Sequence, residues 1–274
     1  MSLSHTSLGA ALGWLLAAEF LWSFSSACSA LFDTSSGLMM QLWYWTAIVS
    51  LCPMISVLGS RRPTSRVWSW FVVVPLLAVL GWPAITVWFS RLDRLPPLEI
   101  QAPALGGLLL ALTMGAGNYA GTRLGGTALG ASLAILLAVV PNSSTLGRLV
   151  SPDLFWGAAS GLMAASIGAG LHICRRSPKI GDPYDLIWHD FRDTFGLVWS
   201  IRIQESLNAG AEQRQCHWRI GPLGVDWRVS DPSRPEPDVV KSFENSLRWH
   251  LRRFVDPDWI DQRLGPPTDS DGRS

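Results

Sequence analysis

The chain has little charge over most of its length. Residues 1–174 contain seven Arg, no Lys and five acids, which is 12 of the 43 charged residues in a chain of 274. So uneven a distribution excludes a single soluble globule, and an apolar fraction of 48% excludes a disordered or collagen-like chain. A formal net charge of +1 gives no general electrostatic reason for a nucleic-acid partner, and we expect none.

Recognisable catalytic motifs are also missing. The sequence has no His-Glu-x-x-His, no Gly-x-Ser-x-Gly and no paired Asp in an apolar run, so the common hydrolase signatures are absent. The four Cys do not show the Cys-x-x-Cys spacing of a structural zinc site. We therefore predict a non-enzymatic protein without a metal or another cofactor.

Long apolar runs are what the segment 1–174 does contain. A helix needs about 20 apolar residues to cross a hydrocarbon core of ~30 Å, because lipid leaves backbone groups unpaired. The sequence predicts a polytopic membrane protein with about six transmembrane helices and a small C-terminal cytoplasmic α+β (α-β-β-α) module. Six stretches meet or approach the required length, at residues 8–30, 38–58, 67–89, 104–122, 127–145 and 154–174.

Basic residues between these runs predict the orientation of the chain. Seven Arg and Lys fall on the side of the even-numbered connections, including Arg61 and Lys179, and three fall on the other side. The positive-inside rule then places both termini in the cytoplasm and the protein in the cytoplasmic membrane. The first run could also be a signal peptide, but no Lys or Arg precedes it and Glu19 interrupts it, so we expect a retained span.

Glu19 is the most informative polar residue of this half, because it is the twelfth residue of the first predicted span. A carboxylate near the bilayer midplane costs about 3 kcal/mol unless it is protonated, paired or hydrated, so it should face the bundle interior. Thr113 and Asn118 on the fourth span, or Gln41 on the second, are candidate partners. Two interpretations stay open: a proton- or cation-coupling site, or a protonated side chain that holds helices together.

Small residues recur at every fourth position on the last three spans. Helices in lipid associate through close backbone approach, which glycine permits. We expect these residues to pack helices within one bundle, and a homodimer is the alternative. The positions are Gly117, Gly121 and Gly125, then Gly126 with Gly130, and Gly157 with Gly161.

Aromatic residues are also concentrated at the ends of the runs. Trp43, Trp45, Trp68, Trp70, Trp88 and Trp156 all lie near predicted span ends. This distribution is typical of a belt at the lipid headgroups.

Residues 175–182 are the predicted linker to the soluble module, which spans 183–264, and residues 265–274 form a predicted disordered tail. Asp182-Pro183 is typical of a helix start. Apolar residues at steps of three and four predict one helix from about 184 to 214 and another from about 237 to 254. Between them, Gly221-Pro222-Leu223-Gly224 predicts a hairpin, with Trp218 opposite Trp227 and Arg219 opposite Asp226.

Candidate binding residues in the module are aromatic or charged. Asp185, His189 and Asp193 are spaced four apart, but the outer two lie ~12 Å apart along a helix and cannot share one ion, so we expect a solvated face. His250 with Arg248, Arg252 and Arg253 could contact anionic lipid, although the nearby Glu244 and Asp256 favour a plain solvated helix. The candidates for contact with a protein partner are Trp188, Trp199, Trp218 and Trp227.

These observations predict a membrane anchor that carries a cytoplasmic interaction or assembly module. Its partners would be the lipid bilayer and a protein bound at the module. The alternative is a small proton- or cation-coupled transporter that uses Glu19.

Overall fold

The computed structural model describes residues 5–32, 37–63, 65–90, 96–143, 151–176, 182–227 and 236–266. The chain divides into two compact units. The apolar unit contains residues 8–60 and 64–176, and the C-terminal unit contains residues 1–7, 61–63 and 177–274. Two short segments that the sequence pattern assigned to the membrane half therefore belong to the C-terminal unit. Most of the predicted linker, at 177–181, and residues 267–274 of the predicted tail lie outside the described residues.

The apolar unit is built from helices throughout the residues described. A π-helical segment, Ser69–Val73, precedes α5, and a 3-10 turn, Val140–Asn142, follows α7. The helices are α1 (Gly9–Leu31), α2 (Gly37–Val49), α3 (Cys52–Leu58), α4 (Ser65–Trp68), α5 (Val74–Ser90), α6 (Ala102–Gly117), α7 (Gly125–Val139) and α8 (Pro152–Arg175).

Five helical runs in the described part of the chain are long and apolar enough to cross a membrane. Only 22% of the most apolar part of the first and last runs is buried, so most of its residues are exposed or only partly covered by protein. This arrangement is compatible with a helical multi-pass membrane protein. The runs are Gly9–Leu31, Gly37–Leu58, Ser69–Trp88, Gly125–Asn142 and Pro152–Arg175.

The fourth predicted span differs from the expectation. The helix α6 has 16 residues and ends at Gly117, whereas the sequence predicted a helix as far as residue 122. The amides of Tyr119 and Ala120 bond to carbonyls three residues earlier, which tightens and ends the helix. Gly121 then takes a φ of 73°. Glycine adopts this left-handed conformation without a steric penalty.

A cluster of indole rings lies at the centre of the apolar unit. The rings of Trp43 and Trp156 stack with centroids 5.5 Å apart, and Trp22 meets Trp43 edge-on at 5.7 Å. The Trp156 Nε1–H donates to the Ala138 carbonyl over 3.2 Å. Trp43 and Trp156 are buried, so the expectation of an interfacial belt is wrong for these two residues.

The C-terminal unit has one helix more on each side of its hairpin than the predicted α-β-β-α order. The predicted helix over 184–214 is two helices, because Gly196 breaks it with a φ of 80°. Glycine tolerates this positive φ because it has no Cβ. The elements are α9 (Pro183–Phe195), α10 (Leu197–Gln213), β1 (Trp218–Gly221), β2 (Gly224–Trp227), α11 (Pro237–Leu251) and α12 (Pro257–Leu264).

Two predictions of local structure in this unit are confirmed. The Asp182 side chain caps α9 by accepting from the Tyr184 amide over 2.8 Å. Such a cap satisfies an amide that has no partner within the helix. The hairpin pairs Trp218 with Trp227 and Arg219 with Asp226, in the predicted antiparallel register.

Buried aromatic rings form the core of the C-terminal unit. Phe254 meets Phe191, Phe195 and Trp199 with ring centroids 4.9–5.4 Å apart. Phe243 makes edge-on contacts with the two paired hairpin indoles. The module therefore has a specific hydrophobic core of its own.

The N-terminal segment and the 61–63 loop are tied to the turn after α11. The Ser7 amide donates to the Phe254 carbonyl, and the Asp256 amide donates to the His5 carbonyl, both over 2.8 Å. The Arg62 amide donates to the Arg253 carbonyl over 2.8 Å, and its guanidinium pairs with the Asp256 carboxylate at 2.5 Å.

Candidate functional site

Glu19 lies on α1, and its exposure to solvent is intermediate. It has no hydrogen-bond or ion-pair partner among the described residues. Thr113 is exposed and bonds to the Leu109 carbonyl of its own helix over 2.8 Å, while Asn118 is buried just beyond α6. Gln41 is buried and its Nε2 approaches the Ala84 carbonyl. The described structure pairs none of these three side chains with Glu19.

One of the predicted glycines makes a close contact between helices: a Cβ at Gly130 of α7 would meet the Ser166 hydroxyl of α8. A Cβ at Gly117, Gly121, Gly157 or Gly161 would have nothing within 4 Å among the described atoms. A Cβ at Gly125 would meet only backbone of the preceding turn, with the carbonyl of Tyr119 nearest. Other close contacts between helices occur at Gly115, against Met54 of α3, and at Gly81, against Trp45 of α2. The predicted packing within one bundle is therefore not made by these five positions.

The four candidate tryptophans of the module are core residues. Trp188, Trp199, Trp218 and Trp227 are all buried. Their rings pack on the phenylalanines of the core described above, and Trp188 also donates to the Gly221 carbonyl over 3.0 Å. A partner at the surface of the module would not touch them. The exposed large apolar side chains described in this unit are Ile201, Leu223 and Trp249.

Side chains of α9 hold the tip of the hairpin. The Val225 amide donates to Asp185 Oδ1 over 2.8 Å, and the Arg192 guanidinium donates to the Pro222 carbonyl. Arg192 also donates to His189 Nδ1 over 3.1 Å. The other ring nitrogen of His189 then carries the hydrogen that bonds to the Leu223 carbonyl over 3.1 Å. The predicted solvated face is thus a structural clamp, and the described residues contain no cluster of metal-binding side chains.

Burial shifts the pKa of one member of this clamp, Asp185. It raises the pKa of the Asp185 carboxyl above its ordinary value, and the bond from the Val225 amide opposes the shift. Asp193, the third residue of the predicted set, is buried on the same helix. The clamp leaves the Leu223 side chain 84% exposed on a backbone that is held in place.

A groove of about 420 Å³ runs along α11 near the end of α10. It is lined by Arg214, next to the end of α10, and by side chains of α11, none of them acidic: Ser242, Asn245, Ser246, Trp249 and His250. His250 Nδ1 donates to the Ser246 carbonyl over 2.9 Å. His250 Nε2 is then left to accept from the Ser206 hydroxyl over 3.0 Å. These bonds fix the imidazole at the wall of the groove.

One arginine, Arg214, lines this groove, and a second, Arg253, lies beside its Trp249. Burial lowers the pKa of His250, the bond to Ser246 opposes the shift, and the charges of Arg253 and Arg214 lower the pKa further. Arg253 lies over the Trp249 ring at 4.4 Å from its centroid, which is a cation–π contact. Neither arginine has a carboxylate partner among the described residues. Carboxylates of the described part of the chain therefore neutralise neither Arg214 at the groove nor Arg253 beside Trp249.

In the sequence, Glu244 and Asp256 argued against an anion-binding surface near His250. In the structure, these two acids are paired with arginines outside the groove. Glu244 and Asp261 bind the Arg248 guanidinium at 2.6 and 2.5 Å, and that side chain is buried. Asp256 binds Arg62. The favoured interpretation of a plain solvated helix is therefore wrong for Arg248, which is buried and cannot contact headgroups either. Arg214 was not among the residues predicted from the sequence. The signal available in the sequence was the spacing of Arg202, Ser206, Gly210 and Arg214 at every fourth position of a helix.

No protein-family model matches the chain, and neither a curated protein nor a solved structure matches it. The geometry of the described residues is therefore the basis for function.

Proposed function

We propose that this chain is a multi-pass membrane protein of the cytoplasmic membrane that anchors a C-terminal interaction or assembly module and has no catalytic activity. Its helical runs supply the anchor, because their outward apolar side chains need an apolar surrounding. The module supplies a folded surface on the cytoplasmic side. The bound partner would be a protein.

The observation that carries the proposal is the rigid presentation of Leu223. When the backbone of an exposed leucine is already fixed, little conformational entropy is lost as the side chain is buried against a partner. Three α9 side chains fix that backbone by bonds to Pro222, Leu223 and Val225. Such a pre-organised apolar side chain is suited to be an anchor residue in a protein interface.

Photo-crosslinking tests the proposal in cells. A photoreactive phenylalanine analogue at position 223 is expected to give a protein adduct of one discrete mass. The same analogue at the exposed Gln213, at the end of α10, is the matched control and is expected to give none. Absence of an adduct at 223, in a chain that fractionates with the membrane, would contradict the proposed role of the tip.

The orientation with both termini in the cytoplasm is part of the proposal. The ties from Ser7 and Arg62 to the turn after α11 support it, because groups in hydrogen-bond contact outside a membrane lie on the same side of it. An even number of crossings must then separate residue 62 from the module. Three long runs follow residue 63 in the described part of the chain. A fourth crossing by α6 is therefore favoured, although this helix is only about 24 Å long.

A second function, cation- or proton-coupled transport, rests on Glu19. A carboxyl without a partner in an apolar helix is costly to keep ionised and is a common feature of coupling sites. Reconstituted chain would then show pH-dependent flux across liposomes, which Glu19→Gln abolishes and the control Glu99→Gln, outside the apolar runs, does not. Absence of flux in the wild-type chain would remove this alternative.

A further inference from the structure

We infer that the groove lined by Arg214, Trp249 and His250 binds a phosphate group, either of an anionic lipid headgroup or of a soluble phosphate compound. The inference deepens the proposed function, on which it rests, by giving the module a second ligand. The groove lies on α11 and is not lined by any residue of the hairpin tip that carries Leu223.

Unneutralised positive charge favours an anionic ligand at this groove. Arg214 and Arg253 both act on His250, and neither has a carboxylate partner in the residues described. Three other arginines of this unit, Arg248, Arg263 and Arg62, have carboxylate partners in Asp261, Asp190 and Asp256. The planar donors of a guanidinium match the oxygens of a phosphate, so a phosphate is the anion that fits these two side chains best.

Neutral donors surround these charges. The hydroxyl of Ser242 and the amide of Asn245 line the same groove and can donate to phosphate oxygens. The His250 ring is fixed by Ser206 and the Ser246 carbonyl. Because Ser246 Oγ bonds to the Ser242 carbonyl, the wall of the groove is held by α11 itself.

The exposed Trp249 adds an aromatic surface at the same place. Its side chain is 56% exposed although Arg253 lies against one face of the ring. An indole beside cationic side chains is suited to the boundary between lipid headgroups and acyl chains, and equally to stacking on a planar phosphate compound. The shared chemistry is the phosphate, and the experiment separates its two sources.

The test is calorimetric titration of the full chain in detergent micelles. The probes are inorganic phosphate, short-chain phosphatidylglycerol and, for comparison, short-chain phosphatidylcholine. Binding of phosphatidylglycerol at least tenfold tighter than both other probes identifies a headgroup site. Binding of inorganic phosphate with an equal or higher affinity identifies a soluble ligand. We expect high salt to weaken either interaction, since exposed charges are screened.

Substitutions at the two arginines test whether the preferred probe binds at the groove. Arg214→Gln combined with Arg253→Gln is expected to weaken binding of the preferred probe at least tenfold, whereas Arg219→Gln, the same kind of change on the exposed face of β1, leaves it unchanged. Arg214→Gln alone serves if the double variant does not fold, because this exposed side chain has no hydrogen bond or ion pair in the described structure.

Two results would overturn the inference. One is failure of the wild-type chain to bind either phosphate or phosphatidylglycerol. The other is equal weakening by Arg219→Gln and by the groove variants, which would indicate unspecific attraction to the charge of the module. The crosslinking at Leu223 probes a different face, so each test can fail without the other.

Discussion

Arg248 has a clear structural role at the scale of single residues. Its guanidinium is buried on α11 and bonds to Glu244, Asp261 and the Gly265 carbonyl. Burial works against its charged form, yet the bonds to Asp261 and Glu244 raise the pKa of Arg248 above its ordinary value. This residue therefore joins α11, α12 and the chain after α12.

Removal of Arg248 should destabilise the C-terminal unit strongly. Arg248→Met leaves two carboxylates without their partner, and we expect a loss of about 3 kcal/mol in the free energy of unfolding. The matched control is Arg252→Met beside the end of the same helix, whose side chain is exposed and without an ion-pair partner in the described residues. Hydrogen exchange of α11 and α12 in the full chain measures both. Equal protection in the two variants would contradict the prediction.

Asp256 makes the stability of this unit depend on pH. Its hydrogen bond from Arg62 lowers the pKa of the Asp256 carboxyl below the ordinary 3.8. A lowered pKa in the folded state stabilises the fold fully above about pH 3.8, and this contribution is lost as pH falls through the native pKa. Because the pair is partly exposed, the contribution is about 0.5 kcal/mol.

We expect Asp256→Asn to remove this acid dependence. The variant should lose protection around residues 254–264 at pH 7 and approach the wild type as the pH is lowered below 3.8. Hydrogen exchange of the full chain between pH 7 and pH 3 measures the difference. Asp238→Asn, at the start of α11, is the control. A constant difference between variant and wild type over this range would exclude the Arg62 pair as its cause.

At the scale of elements, the glycines that matter for helix packing in the apolar unit are those that face a neighbouring helix closely. A Cβ at Gly115 would lie 2.8 Å from the Met54 Cβ, closer than real Cβ atoms approach. The spacing in the sequence indicated Gly117 instead, two residues later on α6, where a Cβ meets nothing in the part described. A pattern of small residues shows that close approach is allowed, but not which face of the helix is used.

Gly115→Ala should therefore separate α6 from α3. We expect a loss of about 1–2 kcal/mol, the typical result of extra volume in a packed interface. Gly117→Ala, the matched control, should be neutral or slightly stabilising, since alanine favours helix. Denaturation of the detergent-solubilised chain by increasing sodium dodecyl sulfate compares the two. A neutral Gly115→Ala would show that this contact can relax.

The topology of the whole molecule gives a prediction of sidedness. In a chain with its native Cys replaced, Arg61→Cys and Glu212→Cys should react with a membrane-impermeant thiol reagent added to one side, and Glu99→Cys should react from the other. The ties between residues 61–63 and the turn after α11 are the reason. Opposite labelling of positions 61 and 212 would mean that α6 does not cross.

The amino-acid sequence by itself determined the large features. Apolar run length placed the long helices, a cap at Asp182 began α9, and alternation around Gly221-Pro222-Leu223-Gly224 set the register of the hairpin. These features depend on neighbours within a few residues, so local propensity and periodicity suffice to predict them.

Only the tertiary structure decided which side chains remain available for binding. The module's candidate tryptophans became core, Asp185 and His189 became a clamp, and the acids near His250 were paired by Arg248 and Arg62. Burial and pairing depend on residues far apart in the chain, and periodicity within one helix carries no information about them. For that reason, the sequence alone does not show that the arginines near Trp249 lack carboxylate partners, and the folded structure does.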